Sequence, residues 1–172
     1  MTALLIATLT LFTGAQANPK VQVTIEGRGQ MTIELYPNKA PKTVNHFLQL
    51  VRSGFYDGVL FHRVENSPRP FICVTGAPLS KSLPLSDAKM GTGGSGQKIA
   101  FEKNDLAFVN GTIGLSRDRK DENSGDSQFF ICNGNQRFLE GTYVAFGRVV
   151  DGLELIPKIQ RGDKIVSIRE VK

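Results

Sequence analysis

The chain reads Phe61-His62-Arg63-Val64 at one point and Ser127-Gln128-Phe129-Phe130-Ile131 at another, and each stretch places a polar side chain in an apolar, strand-like run. Residues two apart on a strand share a face, so Gln128 and Phe130 should point the same way. A buried arginine or glutamine is unfavourable unless something hydrogen-bonds it. Two such residues together predict a shared pocket.

Further motifs occur in a fixed order around these two stretches. Phe55-Tyr56-Asp57-Gly58 comes before the first, and the chain continues with Phe71-Ile72, Gly91-Thr92-Gly93-Gly94 and, near its end, Phe146-Gly147-Arg148-Val149-Val150. This series resembles the cyclophilins, the cyclosporin-binding family of peptidyl-prolyl cis-trans isomerases, over nearly all of the chain after residue 20. Each motif alone is a weak signal, whereas their order and spacing together are specific.

The resemblance implies an all-β dominated fold, a closed eight-stranded antiparallel β-barrel capped by two α-helices. It also implies an enzyme that rotates X-Pro bonds in proline-containing polypeptides, with no cofactor and no metal. The chain has only two histidines and two cysteines, and no spacing suggests a metal-ligand set or a Ser/His/Asp arrangement.

Hydrophobic periodicity predicts the first elements directly. Apolar and polar residues alternate over 21–25 and again over 31–35, on either side of the turn Gly27-Arg28-Gly29, which is the pattern of a β-hairpin. An amphipathic helix is predicted over 41–54, opened by a proline and ended by a glycine, with His46 on its solvent side.

The remainder of the chain is a series of short apolar runs separated by loops rich in glycine, proline and charge. This pattern is typical of an antiparallel barrel rather than of alternating strands and helices. A second short helix is predicted over 153–160, with Pro157 inside it. The predicted strands are 59–64, 71–74, 112–116, 128–132, 143–150 and 164–171.

Arg63 is the predicted catalytic residue. Rotation of an X-Pro bond has a barrier of about 20 kcal/mol and takes roughly 10 to 100 s unaided, but it breaks no covalent bond. As the bond twists, the prolyl nitrogen becomes a lone-pair acceptor, and a rigid guanidinium that stays charged is suited to donate to it. The alternative is an arginine that is simply held by a carboxylate inside the barrel.

The pyrrolidine ring needs a small apolar cup, and the resemblance implies which residues form it. Without the resemblance, Phe130 and Leu139 would be interpreted as plain core residues. Gln128 either holds backbone groups of the peptide, orients Arg63, or is satisfied by nearby backbone. His62 is expected on the opposite strand face from Arg63, as a hydrogen-bonded structural histidine. The substrate-binding residues implied by the resemblance are Phe71, Ile72, Val74, Gln128, Phe130, Phe138, Leu139 and Tyr143.

A glycine-rich run occupies residues 91–96. It lacks the Gly-Lys-Ser/Thr ending and the following helix of a phosphate-binding loop, so a phosphate site is only weakly indicated. In cyclophilins the matching loop borders a second pocket for the residues before proline. The residues that the resemblance assigns to this second pocket are Thr92, Gly93, Asp118, Arg119 and Lys120.

The chain departs from the family pattern at several of these positions. Val74 stands where cyclophilins usually carry a glutamine beside the catalytic arginine, and the loop 65–70 is longer than usual. Phe138 replaces the tryptophan of many eukaryotic members, so cyclosporin should bind weakly because the indole N–H donor is missing. Tyr143 replaces their histidine. These changes bear on substrate preference rather than on fold.

Length and composition fit one domain with a sizeable core. The chain has 172 residues and a net charge of +5. Its densest charged cluster, Arg117 to Glu122, mixes basic with acidic residues, so a solvated loop is preferred to a nucleic-acid site. A monomer is expected.

Residues 1–17 have the shape of a secretory signal peptide, because the apolar segment 4–12 is followed by the small-x-small site Ala15-Gln16-Ala17. The segment is too short for a stable membrane anchor. A basic n-region is missing, and the alternative is an N-terminal arm of the domain. The sequence thus predicts an isomerase domain over 18–172 in the periplasm or outside the cell, with a cytoplasmic location as the alternative.

Two cysteines, Cys73 and Cys132, would allow one disulfide in an oxidising compartment. Strand parity places Cys132 on the pocket face with Phe130, and Cys73 on the face opposite to Val74. A disulfide needs the two Cβ atoms about 4 Å apart. Two free thiols, packed as small hydrophobic residues, are therefore predicted.

Two functions from different classes follow from these residues. The first is an active prolyl isomerase acting on unfolded or exported proteins. The second is a cyclophilin-fold module that binds proline-containing segments with little turnover, because Val74 leaves Arg63 with less polar support. The presence of Arg63, Gln128 and Phe130 together favours the enzyme.

Overall fold

The structure is a computed structural model that describes residues 17–171. Its eight strands form a single antiparallel sheet in the order β3-β4-β6-β5-β7-β2-β1-β8. The strands are β1 (Lys20–Ile25), β2 (Gly29–Leu35), β3 (Arg63–Glu65), β4 (Ile72–Thr75), β5 (Thr112–Leu115), β6 (Phe129–Cys132), β7 (Ala145–Asp151) and β8 (Ile165–Val171); the helices are α1 (Pro41–Arg52) and the 3-10 helices Pro78–Lys81, Arg137–Leu139 and Leu153–Lys158.

The predicted closed barrel is wrong in one respect, because the sheet has two edge strands, β3 and β8, that do not pair with each other. The gap is spanned by the chain just before β3. Leu60 forms an isolated antiparallel bridge with Lys164, and the Gly58 N–H donates to the Ile165 carbonyl at 2.8 Å. Of the predicted strand 59–64, only Arg63 and Val64 belong to a regular strand, β3, whereas Val59 and Phe61 form backbone hydrogen bonds with the segment 163–165.

The first hairpin and the first helix are confirmed. The strands β1 and β2 pair from Lys20↔Glu34 to Ile25↔Gly29. The helix α1 begins at Pro41, and the Glu102 carboxylate caps it by accepting hydrogen bonds from the backbone N–H groups of Lys42 and Thr43 at 2.9 and 2.8 Å. A carboxylate at this end satisfies N–H groups that have no partner within the helix.

The second predicted helix forms as a 3-10 helix, Leu153–Lys158, and not as an α-helix. Pro157 lies inside it and has no N–H to donate to an i−4 carbonyl. The tighter turn is seen in the Leu155 N–H, which donates to the Gly152 carbonyl at 3.1 Å. The segment still buries Ile156 against the sheet.

The buried apolar residues form two clusters. The larger one lies between α1 and the sheet and includes five ring systems, among them Phe47, Tyr56 and Phe129. The smaller one lies on the other face of β4 and β6; it comprises Ile72, Val74, Phe108, Phe130, Cys132, Leu139 and Ala145. The smaller cluster forms the floor of the site described below.

The cysteine prediction is confirmed. Cys73 and Cys132 are both buried and free, and they belong to different core clusters because they lie on opposite faces of the sheet. Burial raises the pKa of each thiol to about 12. Both therefore act as small hydrophobic side chains.

The prediction that His46 faces solvent is wrong. Its side chain on α1 is buried, because the glycine-rich run folds over this part of the helix. Its Nε2 lies 3.3 Å from Ser95 Oγ and 3.5 Å from an oxygen of Asp126. The predicted signal peptide, residues 1–17, lies outside the described residues except for Ala17.

Candidate active site

A cavity of 610 Å³ opens on the face of the sheet above the smaller core cluster, and we call it the main cavity. Apolar side chains from β4, β6 and the 3-10 helix Arg137–Leu139 meet polar ones from β3 and from the loops. Its lining comprises His62, Arg63, Phe71, Ile72, Val74, Asp87, Met90, Gly91, Ser116, Arg117, Arg119, Gln128, Phe130, Phe138, Leu139, Thr142, Tyr143 and Arg161. The predicted catalytic residue and all eight predicted substrate-binding residues therefore lie around one cavity.

Arg63 is the first residue of β3 and lies opposite Val74 on β4. Its Nε donates to Glu65 Oε1 at 2.6 Å, and its Nη2 lies 2.5 Å from the same oxygen. Glu65 is two residues along the strand, so both side chains are on one face. The side chain of Arg63 remains 51% exposed, so the carboxylate fixes one side of the guanidinium without burying it.

Phe130 on β6 forms the floor of the main cavity. Its ring stacks on Phe108 with a centroid distance of 5.8 Å and meets Tyr143 edge-on at 5.5 Å. Gly114 on β5 lies directly opposite, and a Cβ at that position would overlap the Phe130 ring. The ring is thus held on three sides, and the glycine provides the space that it needs.

The outer wall of the main cavity is aromatic. Phe71 and Phe138 stack with a centroid distance of 5.7 Å, and Phe138 is 70% exposed, whereas Leu139 beside it is buried. Phe138 therefore stands at the mouth of the main cavity. An exposed aromatic ring at a cavity mouth is available for contact with an extended peptide.

The side-chain amide N–H groups of Gln128 donate hydrogen bonds to backbone carbonyls. Its Nε2 donates to the carbonyls of Gly91 and Gly93, each at 2.9 Å, and no hydrogen bond joins it to Arg63 among the described residues. Of the three interpretations that the sequence left open, these contacts match a glutamine satisfied by nearby backbone. Gln128 thereby fixes the glycine-rich loop at the edge of the main cavity.

A second cavity of 420 Å³ lies on the other side of that loop. Gly93 and Asp118 line it as predicted. Arg119 lines the main cavity instead, while Thr92 and Lys120 line neither of the two. The lining of the second cavity is Gly91, Gly93, Gly94, Lys98, Ser116, Arg117, Asp118, Ser124, Asp126 and Gln128.

His62 differs from its prediction in two ways. It precedes β3, so strand alternation does not apply, and it lines the same cavity as Arg63. It is buried beneath Gly91, and its Nδ1 has no hydrogen-bond partner among the described residues. Burial, together with the charges of Arg63 and Arg161, lowers its pKa from 6.5 to about 4, so it is neutral at pH 7.

The prediction that no Ser/His/Asp arrangement can be assembled is also wrong, because His46, Ser95 and Asp126 meet below the glycine-rich loop. The arrangement is not that of a hydrolase. Asp126 and Ser95 both contact Nε2, while Nδ1 of His46 has no hydrogen-bond partner within residues 17–171. A hydrolytic triad needs the carboxylate on the nitrogen opposite to the serine.

Several residues around the cavities were missed at the level of the sequence. Arg117 lies in the mixed-charge cluster that was interpreted as a solvated loop, and Arg161 lies in the turn before β8. Asp87 and Met90 come from the long loop after the 3-10 helix Pro78–Lys81. Loop residues have no hydrophobic period, and an arginine in a loop is most often a surface residue, so no sequence signal marked them.

Two further findings concern residues 17–171. No group of three or more histidine, cysteine, aspartate or glutamate side chains is close enough to hold a metal ion there. No helix in that range has the length and apolar character needed to cross a bilayer.

The comparison with known families agrees with this fold and site. Residues 20–171 match the family described as cyclophilin type peptidyl-prolyl cis-trans isomerase/CLD. The chain belongs to this family, and its activity is peptidyl-prolyl cis-trans isomerisation.

Curated relatives have the same activity in their names. A peptidyl-prolyl cis-trans isomerase of Synechococcus elongatus is 36% identical over 146 residues, covering 84% of this chain and 91% of that protein. Peptidyl-prolyl cis-trans isomerase B of Bacillus subtilis is 34% identical over 145 residues, covering 84% and 93%.

A solved structure agrees as well. The crystal structure of a Cryptosporidium parvum cyclophilin type peptidyl-prolyl cis-trans isomerase has a TM-score of 0.78 at 25% identity and covers 90% of this chain and 98% of that one. The same protein was also crystallised in the presence of the dipeptide Ala-Pro, and that structure has a TM-score of 0.75, with 89% of this chain and 99% of that one covered.

Proposed function

We propose that this isomerase rotates X-Pro bonds by donating a hydrogen bond from Arg63 to the prolyl nitrogen while the pyrrolidine ring sits on the apolar floor of the main cavity. One observation carries the proposal: Arg63 and the apolar residues Phe71, Ile72, Phe130 and Leu139 line the same cavity. The Ala-Pro dipeptide used with the Cryptosporidium parvum relative supports a proline-containing ligand.

Binding and electrostatics are sufficient for this reaction. Shortening the relaxation from tens of seconds to milliseconds takes about four to five powers of ten, or about 5.5 to 7 kcal/mol of transition-state stabilisation. A charge-assisted hydrogen bond supplies about 1.5 to 3 kcal/mol of it, and more where water is excluded. The bond strengthens only as the amide loses its resonance, so it favours the transition state over the ground state.

Val74 lies opposite Arg63 and has no polar side-chain atom to hydrogen-bond it. Glu65 supplies that polar contact instead. It holds Nε and Nη2 through one oxygen and is not itself part of the cavity lining. The remaining donors of the guanidinium stay available to a substrate. Glu65 is therefore a positioning residue, and Arg63 is the residue that touches the reacting bond.

The second cavity would take the residues that precede proline. It adjoins the main cavity, and Gly91, Ser116, Arg117 and Gln128 line both. An extended peptide with its proline on Phe130 would therefore continue along the glycine-rich loop, which Gln128 keeps in place.

The alternative is a module that binds proline-containing peptides with little turnover. Arg63 has one polar neighbour fewer because Val74 stands opposite it. Its ion pair with Glu65 is about half exposed to solvent, and this exposure weakens the ion pair. An NMR exchange experiment on an Ala-Pro peptide separates the two, because it reports both the exchange rate and the peptide shifts. Accelerated exchange supports the enzyme. Peptide shifts without accelerated exchange would support the binding module.

The substrates are proposed to be unfolded or exported proteins, with the mature protein in the periplasm or outside the cell. The support is the signal-like sequence of residues 1–17. Intact-mass measurement on protein from the native host tests the location. A species beginning at Asn18 supports export, whereas a cytosolic species that retains Met1 contradicts it.

Cyclosporin is proposed to bind weakly. Phe138 stands exposed at the mouth of the main cavity and offers no N–H donor. Titration of the wild type and of Phe138→Trp with cyclosporin tests this, and the tryptophan variant should bind more tightly. Equal affinities would show that the donor is unimportant.

A further inference from the structure

The main cavity carries an excess of positive charge that the isomerisation itself does not require. Four arginines line it, Arg63, Arg117, Arg119 and Arg161, together with one carboxylate, Asp87. Four positive charges and one negative charge give the lining a net charge of +3, which falls to +2 when Glu65 is counted as the partner of Arg63.

Three of these arginines have no carboxylate partner within residues 17–171. Arg117 donates from Nε to the Thr142 carbonyl at 2.9 Å and from Nη1 to the Asp118 carbonyl at 2.7 Å. Arg161 donates from Nε to the His62 carbonyl at 2.9 Å. Backbone carbonyls orient these guanidinium groups but leave their charge uncompensated, and Arg119 makes no side-chain hydrogen bond in this part of the chain.

The charge is concentrated in the main cavity. The lining of the second cavity has no net charge, since it holds two cations, Lys98 and Arg117, and two carboxylates, Asp118 and Asp126. A concave site lined by one sign of charge focuses its field and raises the local concentration of oppositely charged ligands. The neutral state of His62 fits this potential, because Arg63 and Arg161 add to the effect of burial in lowering its pKa.

The position of Arg117 indicates which residue of a bound peptide would lie next to the positive charge. Arg117 lines both cavities and lies over the Tyr143 ring, 5.1 Å from its centroid. With proline in the main cavity and the preceding residues in the second, Arg117 stands at the junction between them. Arg119, two residues further along the same loop, lines the main cavity beside it.

We propose that the site selects peptides with a carboxylate side chain, aspartate or glutamate, immediately before the proline. The proposal rests on the proposed function, since it takes the pyrrolidine ring to sit on Phe130. The carboxylate would accept a hydrogen bond from Nη2 of Arg117, whose Nε and Nη1 already donate to backbone carbonyls, and a second one from the guanidinium group of Arg119.

The test compares three peptides, Ala-Glu-Pro-Phe, Ala-Gln-Pro-Phe and Ala-Lys-Pro-Phe, with the wild-type protein. NMR exchange gives kcat/KM, and chemical-shift titration gives Kd. We expect the glutamate peptide to exceed the glutamine peptide by roughly threefold to tenfold in kcat/KM, and the lysine peptide to be the poorest. The glutamate-to-glutamine ratio should approach 1 in about 1 M NaCl, where the Debye length is about 3 Å.

Arg119→Gln removes one of the proposed partners without removing a hydrogen bond from the fold. It should lower the glutamate-to-glutamine ratio, and Arg119→Glu should bring it below 1. Arg52→Gln is the matched control, because Arg52 is an exposed arginine on α1 outside both cavities, and this variant should keep the wild-type ratio.

Equal kcat/KM and equal Kd for the glutamate and glutamine peptides would overturn the inference and leave the proposed function standing. Absence of turnover with every peptide would overturn the proposed function instead. In that case the Kd values still decide the inference, because a preference for the glutamate peptide in binding supports it and equal affinities contradict it.

Discussion

The pairing of Arg63 with Glu65 determines how the proposed donor to the prolyl nitrogen is held. Val74 faces Arg63 across the β3–β4 ladder and offers no hydrogen bond, so the only side-chain partner of Arg63 within residues 17–171 is the carboxylate two positions along its own strand. A partner on the same strand face constrains the arginine from one side only. The arginine is consequently both oriented and accessible.

Replacing Glu65 should therefore impair turnover more than binding. For Glu65→Ala we expect kcat to fall by roughly threefold to tenfold with a smaller change in KM, because the donor loses its orientation in the transition state. Glu65→Gln keeps an acceptor oxygen and should retain more activity. Steady-state NMR exchange over a range of peptide concentrations measures both constants. Wild-type kcat in the alanine variant would contradict the positioning role.

His62 should make the fold sensitive to acid. Burial lowers its pKa to about 4, so the folded protein binds a proton there only near pH 4, whereas the unfolded chain binds one near pH 6.5. The stability contributed by the neutral ring is fully present above pH 6.5 and is lost as the pH falls towards 4. The loss is at most about 3 to 4 kcal/mol, taking about 1.36 kcal/mol for each unit of the difference between 6.5 and about 4.

Denaturant unfolding of the wild type and of His62→Gln between pH 7 and pH 4 measures this contribution. The free energy of unfolding of the variant should decrease less over that range, since glutamine has no proton to gain. The same decrease in both proteins would show that other groups, and not His62, cause the acid sensitivity.

At the scale of elements, the strands β5 and β6 show how the sheet shapes the cavity. Gly114 and Phe130 are directly opposite each other in the antiparallel ladder. A Cβ on Gly114 would overlap the Phe130 ring and come within 2.8 Å of Phe108 Cε1. Only glycine at position 114 therefore leaves room for the Phe130 ring to lie where it forms the floor of the main cavity.

Gly114→Ala should displace Phe130 and reduce the free energy of unfolding by roughly 1 to 3 kcal/mol, as overpacking of a core does. The KM for an Ala-Pro peptide should rise at the same time. Adding Phe130→Leu should recover part of the lost stability, which denaturant unfolding of the double variant measures. An unchanged free energy of unfolding in Gly114→Ala would contradict the steric account.

The elements that the sequence predicted well are those with a complete local pattern. The hairpin β1–β2 has alternation and a glycine turn, and α1 has a proline at its start and a glycine after its end. The position of the helix Leu153–Lys158 was predicted, but its type was not, since it is a 3-10 helix. The segment is only six residues long, and the proline inside it prevents α-helical hydrogen bonding. The open sheet edge was not predictable, since it depends on contacts between residues 58–61 and 162–165 that are far apart in the chain.

In the molecule as a whole, the functional site also has a part that the sequence predicted and a part that it did not. The order of the motifs was sufficient to predict that Arg63 and the apolar residues of the floor lie around one cavity, since β3, β4 and β6 are neighbours in the sheet. The sequence did not predict that His46 is buried or that Arg117 and Arg161 line the main cavity. Loops create these contacts, and no hydrophobic period in the sequence marks a loop contact. The charge of the main cavity is therefore a property of the folded molecule that the composition alone did not reveal.

We propose that Arg63 is the residue through which this molecule accelerates X-Pro rotation. The most direct test is NMR exchange on an Ala-Pro peptide with the wild type, Arg63→Lys and Arg63→Ala. Arg52→Lys is the control, because Arg52 Nε donates to Glu170 at 2.6 Å, the same distance as from Arg63 Nε to Glu65, and Arg52 lies outside the main cavity.

We expect kcat/KM to fall at least roughly tenfold in both Arg63 variants while their thermal unfolding stays close to that of the wild type, because a lysine offers neither the planar geometry nor the fixed donors of a guanidinium. The Arg52→Lys protein should retain the wild-type kcat/KM. Wild-type kcat/KM in Arg63→Lys and Arg63→Ala would contradict the account.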